Sequence, residues 1–288
     1  MFTGSIVAMV TPFKNGAVDY DKLGELVDYH VENGTNAIIP CGTTGESPTL
    51  SHTEHGEVIG KVIETANGRI PVIAGTGSNN TSEAISLTRH AKEAGADGSL
   101  LITPYYNKPT QQGLYDHYKA ILEEVDIPII IYNVPSRTGV SISPETVARL
   151  SEFDNIVAIK EATGDIDQAS QILTLCDITV LSGDDSLPLP IMSIGGKGVV
   201  SVLANILPRE VSELTASIAK GDIKNSQKLH RSLFPLCKAM FIETNPIPVK
   251  TAMKLLGRLN GEMRLPLSKM SDKHEEQLKK VLNNHRLA

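Results

Sequence analysis

One pattern constrains this chain more than any other. A short apolar run, a turn rich in Gly, Ser, Thr or Asn and a segment with helical spacing recur eight times within residues 1–222. The runs fall at 5–10, 37–40, 71–74, 99–102, 128–132, 156–160, 179–182 and 198–202. Apolar runs this short, bounded by turn signals, read as buried strands. The segments between them carry helix start signals. Asp19 precedes a face made of Leu23, Leu26, Val27 and His30, Ser51 and Glu54 have capping-box spacing, Asn80 and Glu83 repeat it, and Ser143 precedes Pro144. Alternating strand–helix units imply a parallel sheet with helices outside it. Eight of them predict a closed (β/α)8 barrel, a TIM barrel, over residues 1–222. The competing doubly wound sheet would place a glycine-rich fingerprint in the first turn, where this chain reads Thr11-Pro12-Phe13. From 223 to 288 no strand signal appears; 246–256, with Asn245 as cap, and 271–282 read as helices of a C-terminal bundle.

Composition narrows the function. A net charge of −6 without a basic run argues against nucleic acid. No apolar run approaches the ~18 residues of a membrane span, and the first residues lack the basic segment and cleavage site of a signal peptide. Cys41, Cys176 and Cys237 are too dispersed for a disulfide framework or a metal motif, so the expected compartment is the cytoplasm. Neither a metal ligand set nor a nucleotide loop is present as a motif, so no cofactor is expected.

In a barrel the loops after the strands converge on one face and carry the site. The sixth run ends in Lys160. Side-chain alternation puts Lys160 on the face of Ala158, and Val157, Ile159 and Glu161 on the other. Glu161 therefore faces the helices and is not the counter-charge of the lysine. Alone, such a lysine reads as one that snorkels from the strand end to solvent. Its company changes that reading. Tyr132 alternates with Ile131 and Ile129, so it too can point inward. The loop from Gly42 to Glu46 offers Thr43 and Thr44 hydroxyls and clustered backbone N–H groups suited to a carboxylate. Arg137 follows on a loop and can fork onto a second carboxylate. An inward amine among phenols, hydroxyls and an arginine permits Schiff-base chemistry on a 2-keto acid.

The motifs carry a resemblance. The start at Gly4, GTTGES over 42–47, AGTG over 74–77, TPYYNKP over 103–109, YNVPSRTG over 132–139, IKEAT over 159–163, SGDD over 182–185 and NPIPVK over 245–250 together resemble the dihydrodipicolinate synthase family. These are pyruvate-dependent class I lyases, a group that includes N-acetylneuraminate lyase. The resemblance implies that Lys160 forms the Schiff base with pyruvate and that Tyr132 shuttles protons. It implies a relay in which Thr44 links Tyr132 to Tyr106 of a neighbouring subunit. Thr43 and Thr44 would bind the pyruvate carboxylate beside the backbone near Val200, and Arg137 the carboxylate of aspartate semialdehyde. Arg137 favours the synthase branch, since the neuraminate lyases carry no arginine there. A homotetramer built as two tight dimers is implied as well. So is a lysine feedback site of Ser47, His52, His55, Asn79, Glu83 and Tyr105, with Pro48 standing where the family carries a small residue. The alternatives are a sialic-acid or keto-sugar aldolase on the same scaffold and a non-catalytic keto-acid sensor.

Overall fold

The computed structural model describes residues 2–287. Eight parallel strands form the barrel: β1 Gly4–Ala8, β2 Ala37–Ile39, β3 Ile73–Gly75, β4 Gly98–Ile102, β5 Ile129–Asn133, β6 Ile156–Glu161, β7 Thr179–Ser182 and β8 Gly198–Ser201. Each pairs with its neighbours in sequence and β8 returns to β1, while a parallel bridge between Ile38 and Val72 joins β2 to the approach of β3. The predicted barrel is therefore the observed one. Where it closes, Gly198 lies against the Gly4 backbone, and a Cβ there would sit 2.2 Å from the Gly4 carbonyl oxygen. Any side chain at 198 would force β1 and β8 apart.

The helices of the barrel are α1 Tyr20–Glu32, α2 His52–Ala66, α3 Thr81–Ala94, α4 Gln111–Glu124, α5 Pro144–Leu150, α6 Ile166–Leu175, the short α7 Pro188–Ser193 and α8 Pro208–Ala219. Then come α9 Ile223–Ala239, α10 Ile247–Leu255 and α11 Asp272–Asn284. Local chemistry explains most starts. Asp19 accepts from the Lys22 N–H, Ser51 and Glu54 cap each other, and Ser143 accepts from the Thr146 N–H. At α3 the cap forms without its capping box, and at α10 the expected cap does not form. Asn80 accepts from the Ser82 N–H, and the Glu83 carboxylate turns away to Ser78 and His52. Asn245 does not cap α10, because its amide is drawn into the barrel mouth described below.

Alternation sorts the strand residues into two layers. Ile6, Ile39, Ile73, Leu100, Ile130, Ala158, Leu181 and Val200 fill the barrel. Ile129, Ile131, Ile159 and Val180 pack outward against the helices. Each such aliphatic side chain contributes ~1.5–3 kcal/mol when fully buried. The predicted alternation of β6 fails at Val157. The register against β5 shifts between Ile129 and Ile130, so Ile156 pairs with Ile129 and Ala158 with Ile130. The extra residue turns Val157 toward the barrel interior, where it packs with that cluster. From Ala158 onward the alternation holds, and Tyr132 and Lys160 lie side by side in register.

Candidate active site

Strand ends β5 and β6 place Tyr132 and Lys160 on the inward face at the carboxyl end of the barrel, 7% and 6% exposed. The Lys160 Nζ lies 3.9 Å from the centre of the Tyr132 ring. Both line a cavity of about 440 Å³ with Thr43, Thr44, Arg137 and Asn245. Glu161 points the other way, as alternation predicts. Its carboxylate accepts from Asn133 Nδ2, Gln168 Nε2 and the Thr163 N–H, and burial pushes its carboxyl up. Among the described residues the Lys160 amine has no ion pair, so none of them ties it down as a counter-charge.

The loop after β2 supplies the opposite wall. Thr44 is buried, and its Oγ1 accepts from Asn245 Nδ2 at 3.0 Å. Arg137 sits on a single helical turn, Pro135–Thr138, that ends at Gly139 with φ 74°. Its guanidinium donates to the Asn245 carbonyl at 3.2 Å. Across the barrel, the buried Asp185 carboxylate accepts from Ser201 Oγ and from the N–H groups of Val202 and Leu203. That fixes the turn after β8 and sets Val202 on the cavity wall. Val200 itself is buried inside the barrel.

Tyr106 stands apart. It is 89% exposed with φ 70°, and it lines neither this cavity nor its neighbour. A single chain therefore does not assemble the expected relay, since the exposed Tyr106 lies outside the cavity that holds Tyr132 and Thr44. Cys41 opens the loop but is buried, and burial drives its thiol far up, which makes it a packing residue.

The second set of expected residues also converges. Ser47, His52, His55, Glu83 and Tyr105 line an adjoining cavity of about 420 Å³, together with Pro48. Pro48 lies inside the 3-10 turn Ser47–Thr49, which suits its fixed φ. Asn79 ties this wall together by donating to the Tyr105 carbonyl at 3.1 Å. Glu83 is bonded to His52 Nε2 at 2.9 Å and to Ser78. His55 donates from Nε2 to the Gly75 carbonyl, its Nδ1 has no partner among the described residues, and burial lowers its pKa. The two cavities share Gly42, Thr43, Leu100, Tyr132 and Arg137.

Asn245, Thr244, Lys238 and Phe241 of the C-terminal segment also line the first cavity. Sequence reading passed over them as site residues, although NPIPVK was itself a motif of the resemblance. A signal for Asn245 was available, because an Asn before a Pro invites a capping reading that a buried neighbour can displace.

Comparison with known proteins agrees with this geometry. The model of the dihydrodipicolinate synthetase family matches residues 1–285. A curated 4-hydroxy-tetrahydrodipicolinate synthase from Geobacter sp. (strain M21) is 59% identical, covering all of both chains. The crystal structure of dihydrodipicolinate synthase from Aquifex aeolicus is 56% identical over 99% of each chain, with a TM-score of 0.98. A DHDPS from Cyanidioschyzon merolae, solved with lysine bound, is 41% identical over 100% of this chain and 99% of that one, with a TM-score of 0.97. With a family match and relatives of this identity over its whole length, the chain belongs to the dihydrodipicolinate synthetase family.

Proposed function

We propose that this chain is a Schiff-base lyase that condenses pyruvate with L-aspartate 4-semialdehyde to give 4-hydroxy-tetrahydrodipicolinate, on the route to diaminopimelate and lysine. The observation that carries this reading is the buried Lys160 amine, without an ion pair among the described residues and packed on the Tyr132 ring at the wall of a cavity with two hydroxyls and an arginine. The free amine adds to C2 of pyruvate while Thr43 and Thr44 hold the carboxylate. Tyr132 delivers the proton with which the carbonyl oxygen leaves as water. Loss of a C3 proton gives the enamine, which attacks the aldehyde carbon of the second substrate as Arg137 holds that substrate's carboxylate. The substrate amine then displaces Lys160 and closes the ring. One water leaves per turnover.

The exposed Tyr106 fits a hydroxyl completed from a neighbouring subunit, within a cytoplasmic homotetramer built as two tight dimers. The adjoining cavity suits lysine as a feedback inhibitor. Glu83 would exchange His52 for the effector ammonium, and Asn79 with Tyr105 would hold its carboxylate end. Borohydride reduction in the presence of pyruvate should leave a reduced adduct on Lys160 in peptide mass spectrometry. Absence of that adduct, or activity confined to N-acetylneuraminate cleavage, would overturn the reading.

A further inference from the structure

The loop that carries Thr43 and Thr44 is held from far away in sequence. It runs between Cys41 and Glu46, both non-glycine residues in the left-handed region with φ 56°. Such a backbone persists only where its surroundings over-determine it. At Glu46 those surroundings are visible. Its carboxylate is paired with the Lys250 Nζ of α10 in an ion pair that is 0% exposed on one side and 1% on the other. The same amine donates to the Thr11 carbonyl at 2.9 Å, and Thr11 Oγ1 donates to the Gly45 carbonyl at 2.6 Å. The second Glu46 oxygen accepts from the Arg264 N–H at 3.2 Å. A few residues before Lys250, Asn245 is bonded to Thr44. The two threonines are thus gripped on their C-terminal side by a closed ring of Thr11, Gly45, Glu46 and Lys250.

Stability alone does not account for this pair. Burying two charges costs about as much as their attraction returns, and apolar replacements of both are often neutral or stabilising. Nor does Lys250 line either cavity, so it is not a ligand group. What the pair does fix is the backbone of the loop, and with it the direction of the Thr43 and Thr44 hydroxyls.

We infer that the Glu46–Lys250 pair is the positioning device of the keto-acid carboxylate subsite, acting through the Gly42–Glu46 loop without touching substrate. This rests on the Schiff-base reading above. The test is the double variant Glu46→Met with Lys250→Met, which removes both charges and leaves neither one unpaired. It is read by borohydride trapping of the Lys160 adduct against pyruvate concentration, alongside a denaturant melt. The expected result is a folded protein whose Lys160 is still fully trapped at high pyruvate, with half-saturating pyruvate raised about tenfold or more. KM for aspartate semialdehyde should move far less. A pair that is merely structural gives a folded double variant with wild-type half-saturation, and that result overturns the inference. Should the double variant fail to fold, Glu46→Asp keeps both charges but shortens the reach by one methylene. Raised half-saturation supports the inference there too, and an unchanged value overturns it. Failure to trap any adduct in the wild-type protein would instead overturn the Schiff-base reading.

Discussion

Two lysines are buried in this molecule, in opposite ways. Lys160 ends a strand with its amine on a tyrosine ring, facing a cavity and lacking an ion pair among the described residues. Lys250 lies on a helix outside the barrel, closed off from both cavities and bonded to a carboxylate and a carbonyl. The Phe13 ring lies 4.4 Å from its Nζ. Both side chains are buried, but only Lys160 lines a cavity. An amine without a fixed partner, open to a cavity, remains available to a carbonyl carbon. An amine saturated by an acid and a backbone oxygen can only hold its neighbours in place.

The sharpest way to separate the two is to make the same change at each. On the Schiff-base reading proposed above, Lys160→Met should lower turnover by on the order of 10⁴-fold or more, since it removes the proposed nucleophile, while a denaturant melt shows no loss of stability. Steady-state kinetics and the melt together check this, and an active variant would break the contrast. Tyr132→Phe keeps the ring under the Lys160 amine and removes only the hydroxyl. Turnover at saturating substrates should fall ~10²- to 10⁴-fold if that hydroxyl moves protons. Lys250→Met should do the reverse of Lys160→Met and destabilise the fold by ~3–5 kcal/mol, because it strands the Glu46 carboxylate. Restoring most of that with Glu46→Met is the control.

Buried histidines extend the contrast to a base that folding keeps neutral. His117 and His30 are buried with pKa values lowered by burial to about 4 and about 3. Between those values and the ordinary 6.5 the unfolded chain binds protons that the folded chain does not, so stability must fall as pH drops through that window. His117 accounts for up to ~3 kcal/mol of this. Melts from pH 7 to 4 should show the slope, and His117→Asn should flatten it. The smallest expected effect lies in the adjoining cavity, where Glu83→Gln should raise the lysine concentration for half-inhibition about tenfold.

Much of this was legible because it is local. Alternation along a strand placed Tyr132, Lys160 and Glu161 on their faces, and side chains a few residues apart announced the caps at Asp19, Ser51 and Ser143. Where a local signal competed with a distant one, the distant one won. Val157 was misplaced because a bulge depends on the partner strand. Asn245 and Glu83 carry good capping chemistry, yet each found a stronger partner elsewhere in the fold. The pairing of Glu46 with Lys250 spans 204 residues and has no local trace. The exposure of Tyr106 has no local trace, and its place in a relay is implied by the resemblance alone.

The reach of the C-terminal segment has a consequence for how the protein comes into being. Arg264 clamps Glu54 at the start of α2, holding that carboxyl down at about 2, while Lys250 and Asn245 grip the loop between β2 and α2. All eight strands, Lys160 and Tyr132 are synthesised before any of these three residues leaves the ribosome. A nascent barrel can therefore hold Lys160 and Tyr132 in place while the Gly42–Glu46 loop is still unbraced. Chains cut short after the barrel should be poor enzymes even where they stay compact, because they lack Asn245, Lys250 and Arg264.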